Sequence, residues 1–174
     1  KEEIGNMGAT GMQSSFFEDM VAEVLALTGE DSPVKVRRVL RNSCMLSSDV
    51  SAAYDPLYPE VFEKKNTAYF GRGLVLNKYT GSRGKNGTSD ANAEYVAKVR
   101  NVFDNNHVAF QTAELGKVDQ GGGGTIAYVM ANKAMSVIDS GVAVLSMHAP
   151  YEVTSKSDVY EVYRGYKAFL KDMK

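Results

Sequence analysis

The sequence predicts an α/β fold, a three-layer sandwich in which helices cover both faces of a mostly parallel or mixed sheet, and three observations support it. Apolar runs of strand length alternate with longer stretches whose apolar residues recur every three to four positions. Turn-forming residues separate these stretches, among them Thr28-Gly29, Pro56 with Pro59, the 80–87 segment and the run Gly121 to Gly124. The chain has 174 residues, 44% of them hydrophobic, which suits one domain. A domain of that size buries roughly 70% of the surface its unfolded chain exposes and needs no disulfide to hold a core.

The elements follow in order. Phe17, Met20, Val21, Val24 and Leu27 have helical spacing over residues 13–28, and Thr28-Gly29 closes that helix. Pro33 suits the first turn of a second helix reaching Arg41, because its missing N–H is unpaired there in any case. Cys44-Met45-Leu46 begins a short strand that leads to Asp49, and residues 51–72 read as irregular. Gly73 to Leu76 reads as a buried strand, with 80–87 a loop by composition. Tyr95, Val96, Val99, Val102 and Phe103 mark a third helix, which Ser89 or Asp90 can cap, and His107 is its polar end. Val108 to Gln111 is a further strand, and a helix over Thr125 to Ala134 follows the glycine run. Val137 to Asp139 and Val142 to Leu145 are strand-like on either side of Ser140-Gly141. Val159, Val162, Tyr163, Tyr166, Phe169 and Leu170 fit a long C-terminal amphipathic helix.

Composition narrows the function. With 20 Lys+Arg against 21 Asp+Glu the formal net charge is -1, without the basic excess of a general nucleic-acid binder. The single cysteine, Cys44, excludes an internal disulfide and a cysteine-based zinc finger, and points to a reducing compartment, the cytoplasm. No apolar run approaches the ~20 residues that cross a bilayer, so no membrane partner is expected. Lys35, Arg37, Arg38 and Arg41 read as a solvated helix face.

Several residues carry candidate chemistry. Glu2 and Glu3 are adjacent carboxylates, and neighbours on a strand face opposite ways, so one can bind a cation while the other acts as a base. His148 and Asp49 each follow an apolar strand-like run, which places them at the strand ends where α/β sheets hold their sites. A carboxylate and an imidazole delivered from separate strands can share a Zn²⁺ ion with Glu3. The run Gly121 to Gly124 permits close backbone approach to a substrate, but it lacks the Lys-Ser/Thr ending of a phosphate loop.

In order along the chain stand Glu2-Glu3-Ile4-Gly5, Gly11-Met12-Gln13-Ser14-Ser15, Ser47-Ser48-Asp49-Val50-Ser51-Ala52-Ala53, Asp119-Gln120-Gly121-Gly122-Gly123-Gly124-Thr125-Ile126 and Ser146-Met147-His148-Ala149-Pro150-Tyr151-Glu152. This ordered set resembles the aspartyl aminopeptidase and vacuolar aminopeptidase I family of dinuclear zinc peptidases, in its bacterial branch. The resemblance implies a zinc-peptidase-like fold and the C-terminal part of a catalytic domain, with an upstream catalytic segment and a dimerisation domain lying outside these 174 residues. It implies two divalent ions, zinc first and Co or Mn as alternatives. By this resemblance Glu2 is the general base, Glu3 and His148 ligate one ion, and Asp49 ligates the other. Asp119, Gly122 and Gly123 are then substrate contacts. The implied reaction is removal of N-terminal residues from peptides by a metal-activated water, and the implied assembly a tetrahedral dodecamer of identical subunits. Ala52, Ala53 and Tyr54 stand where many relatives carry histidines. The alternative reading is a non-catalytic α/β module or assembly unit without a competent metal site.

Overall fold

The computed structural model describes residues 6–83, 86–87 and 89–173. Its helices are α1 (Phe16–Leu27), α2 (Pro33–Arg41), α3 (Ala93–Asn105), α4 (Ala127–Ala131) and α5 (Lys156–Asp172). Its strands are β1 (Cys44–Ser48), β2 (Ser51–Ala52), β3 (Leu74–Asn77), β4 (Phe110–Thr112), β5 (Ser136–Gly141), β6 (Ala143–Leu145) and β7 (Val153–Thr154).

The main sheet has the order β1-β5-β3-β4. β1 runs parallel to β5, with Ser47 opposite Asp139, and β3 runs parallel to β4. β5 and β3 are antiparallel, with Asn77 also opposite Asp139, so the sheet is mixed. Alternation along β5 builds the layers. Ile138 faces Leu74, Leu76 and the α3 side chains Val99 and Phe103, together with Ala168 of α5. Val137 faces the other way, against Leu40 of α2 and Ala127, Val129 and Met130 around α4, with Phe17 and Val21 of α1 packed outside them. The two helix layers and the sheet between them are the predicted sandwich. Leu74, Leu76, Val99 and Phe103 are each fully buried, which stabilises by about 1.5–3 kcal/mol per large side chain.

A second sheet, β2-β6-β7, stands at the end of the first. Its Ala143 packs with Ala53 and Ala68, which form a β-bridge just beyond β2, and with Val75 and Ala113 in a cluster of mostly small residues.

Several expectations shift. α1 starts at Phe16 rather than residue 13, because Ser14 turns back to donate to the Gly11 carbonyl. The α3 cap is Asn92, whose side chain accepts from Tyr95 N at 2.7 Å; Ser89 is buried, and Asp90 pairs with Lys78. The helix after the glycine run shortens to Ala127–Ala131, bounded by Thr125, whose hydroxyl accepts from Ala127 N, and by Ala134 in the left-handed region at φ 66°. Ser140-Gly141 is the end of β5 and not a turn, and β2 and β7 are strands too short to show a period.

Candidate functional site

β1 ends at Ser48, and the chain turns at Asp49, whose Oδ1 accepts from Val50 N at 2.7 Å. That turn is pressed against Gly141: a Cβ there would lie 1.7 Å from the Asp49 carbonyl oxygen, so only glycine fits. Parallel pairing of β2 with β6, continued by the Ser51 N to Val142 O bond, carries the chain from β6 alongside the Asp49 segment.

Beyond β6 the backbone enters the left-handed region at Ser146 (φ 57°) and His148 (φ 67°). Non-glycine residues hold that conformation at a cost, and such strain collects at functional sites. A turn closed by Ala149 N to Ser146 O and a hydrogen bond from His148 N to the Glu152 carboxylate hold the loop in place.

The third segment is the glycine run. Gly121 N donates to Lys117 O, Gly81 N donates to Gly123 O at 2.7 Å, and Gly122 sits at φ 96°. Together the three segments enclose a cleft of about 250 Å³ lined by Asp49, Val50, Ala52, Leu115, Gly122, Gly123, Gly124, Thr125, Met147 and His148. Asp49, His148, Gly122 and Gly123, predicted from widely separated stretches, thus line one cleft. Asp119 is exposed on the adjoining loop at φ 71°, donates its N–H to Arg83 O, and is outside that lining. Glu2 and Glu3 lie outside the described residues.

The residue types fit zinc: Asp49 and His148 line the same cleft, and a carboxylate and an imidazole are both ordinary Zn²⁺ ligands. Among the described residues no group of three or more His, Cys, Asp or Glu converges, so a complete site needs donors beyond them.

Behind the cleft wall lies Asp139, 3% exposed. Thr125 Oγ1 donates to its Oδ2 at 3.0 Å. Burial pushes its carboxyl up to about 6; the Thr125, Ser47 and Thr80 hydroxyls oppose that shift, and the Asp49 charge adds to it. From the opposite sheet face the Tyr166 hydroxyl reaches Ser140 O at 2.6 Å and Ser48 Oγ at 2.8 Å, and burial raises its pKa. Sequence reading placed Asp139 only within a strand. Its available signal was a lone carboxylate inside Val137-Ile138-Asp139, a run otherwise fit for the core.

Charged and aromatic side chains outside the cleft have structural partners. Arg72 stacks over Tyr69 at 4.6 Å, Lys78 pairs with Asp90, and Tyr79 donates to the buried Glu114 at 2.7 Å. Arg37, Arg38 and Arg41 are exposed on α2.

Comparison with known proteins gives a consistent picture. A family profile described as Aminopeptidase I zinc metalloprotease (M18) matches residues 1–170. A probable M18 family aminopeptidase 1 from Clostridium acetobutylicum is 61% identical over 172 residues, which are 99% of this chain and 37% of that protein. The chain therefore spans well under half the length of the curated relatives it matches. The crystal structure of an M18-family aminopeptidase from Thermotoga maritima superposes with a TM-score of 0.93 at 45% identity, covering 98% of this chain and 38% of that one. A structure described as the Saccharomyces cerevisiae mApe1 dodecamer superposes with a TM-score of 0.73 at 26% identity, covering 98% of this chain and 36% of that one.

Proposed function

The chain belongs to the M18 family of aminopeptidase I zinc metalloproteases, and on that premise we propose that residues 1–174 are the C-terminal portion of the catalytic domain of an aminopeptidase. The observation that carries this reading is the convergence of Asp49, His148 and the glycine run on one cleft.

In this reading Asp49 and His148, joined by Glu3, hold the metal, with Glu3 and His148 on one ion and Asp49 on a second. Bound zinc supplies Lewis acidity toward the scissile carbonyl and toward the attacking water. Glu2 accepts the proton of that water and returns it to the departing amine. Gly122, Gly123 and Asp119 receive the substrate: glycine lets a peptide backbone come close, and the carboxylate attracts the free α-amino group. The Asp49 carboxylate is already turned by its bond from Val50 N, and the His148 loop is fixed by Glu152, so little reorganisation is needed on binding.

Assembly into a homo-oligomer is part of the proposal. Phe16, Met20, Val24 and Leu27 form an exposed apolar stripe along α1, and Tyr160 and Tyr163 stand exposed on α5. Apolar stripes of this extent are ordinarily covered in the mature protein. The solved dodecamer of a similar fold supports the same reading.

The test is an assay of the full-length enzyme for release of N-terminal residues with Zn²⁺, Co²⁺ or Mn²⁺. Aminoacyl substrates should be cleaved, and Nα-acetylated ones spared. A metal-loaded, folded enzyme that cleaves no aminoacyl substrate, and is indifferent to Glu2→Gln, would end the proposal.

A further inference from the structure

The mechanism above leaves one buried carboxylate unused. Asp139 lies mid-sheet, opposite Ser47 on one side and Asn77 on the other. Thr125 donates to its Oδ2, and the Ser47 and Thr80 hydroxyls also act on the carboxylate. Its Oδ1 is buried without a hydrogen-bond partner. A carboxylate desolvated with one oxygen unmet is a poor device for stability alone.

The three hydroxyl residues share a feature: each adjoins a segment of the cleft wall. Ser47 precedes Asp49 by two residues. Thr125 follows Gly124 directly and itself lines the cleft. Thr80 precedes Gly81, whose N–H holds the Gly123 carbonyl. The glycine run has no side chains with which to fix itself; Gly121 N is held at its start by Lys117 O, and the rest of its shape depends on Gly81 at its middle and Thr125 at its end.

We propose that Asp139 is a positioning residue of the cleft, gathering Ser47, Thr80 and Thr125 so that the Asp49 turn and the glycine run keep one spacing. This rests on the aminopeptidase reading for its consequence, but not for its geometry. Asp139 touches neither substrate nor metal; it acts through Thr125 and the backbone of the run. Thr125→Val removes the donor while keeping the volume, and Thr125→Ser restores it.

The test uses the full-length zinc enzyme with Thr125→Val, Thr125→Ser and Asp139→Asn, aminoacyl p-nitroanilides as probes, and hydrogen exchange read on peptides spanning 117–127. Thr125→Val and Asp139→Asn should speed exchange across 121–127 by about 10-fold or more. They should raise KM by a factor on the order of 10 with a smaller change in kcat, since substrate seating is what loosens. Thr125→Ser should return both to the parent values. Exchange at 121–127 that is unchanged in Thr125→Val, or a Thr125→Ser enzyme that behaves like Thr125→Val, overturns the proposal. If Asp139→Asn does not fold, the Thr125 pair decides on exchange at 121–124, because Thr125 Oγ1 also accepts from Ala127 N and its loss alone frees that amide. If the parent enzyme cleaves no aminoacyl substrate, the aminopeptidase reading fails while the exchange measurement still decides the role of Asp139.

Discussion

Single residues set the site's tolerances. Gly141 is opposed by the Asp49 carbonyl at a distance no Cβ can share, so Gly141→Ala must move the Asp49 turn. Under the proposed function, a displacement on the order of 1 Å at Asp49 costs ~10²-fold in rate. The expected outcome is a folded full-length enzyme with kcat/KM down by about that factor, read by steady-state assay beside thermal unfolding. Asp139 makes a prediction about pH. Its carboxyl is raised from 3.8 to about 6, chiefly by burial, so the native state keeps a proton that the unfolded chain has already released. Its contribution to stability is therefore present below about pH 4 and lost as pH rises toward 6, by roughly 2–3 kcal/mol. Urea unfolding of metal-free protein at steps from pH 4 to 7 should show that fall, and Asp139→Asn should flatten it.

Between elements, a few polar contacts decide how helices and strands lock together. Asp158, in the first turn of α5, is 1% exposed, and its carboxylate accepts from Gly71 N at 2.8 Å and Gly73 N at 2.9 Å. It thus ties the C-terminal helix to the chain just ahead of β3. Removing it orphans two backbone donors, one of them buried, so Asp158→Ala should destabilise by about 2–3 kcal/mol in chemical denaturation. Farther along α5, Gly165 leaves room for the sheet: a Cβ there would stand 2.7 Å from Leu74 Cδ1 and 3.5 Å from Phe103. Gly165→Ala gains helix propensity of about 1 kcal/mol but overpacks a core that fully buries both neighbours. The net expectation is a loss of about 1–2 kcal/mol, seen as a lower Tm.

For the molecule as a whole, the described donors are fewer than a metal centre needs. Asp49 and His148 reach the cleft, and no third His, Cys, Asp or Glu joins them among the described residues. The proposed centre draws Glu3, Asp49 and His148 from this chain and its remaining donors from the upstream catalytic segment, so calorimetric titration should show zinc binding to the isolated 174-residue chain at least ~100-fold more weakly than to the full-length enzyme. Equal, stoichiometric two-ion binding by both would contradict it. Sedimentation of the full-length enzyme checks the proposed homo-oligomer: a species several times the monomer mass is the expected outcome, whereas a monomer would assign the cover of the α1 stripe to another part of the same protein.

Periodicity in the sequence determined the order of helices and strands, because apolar spacing directly records which face each segment buries. The ordered motifs also singled out Asp49, His148 and the glycine run, which the structure brings to one cleft. Tertiary structure alone decided the rest. β2 and β7 are each two residues long and exist only because β6 lies between them to pair with both. Asn92 caps α3, and not Ser89 or Asp90, because the segment around Tyr79 and Asp90 is already held in a β-bridge. Asp139 gained its place only when β5 was inserted between β1 and β3, bringing Ser47, Thr80 and Thr125 around it. Such a meeting depends on distances across the sheet, and local sequence spacing does not encode them.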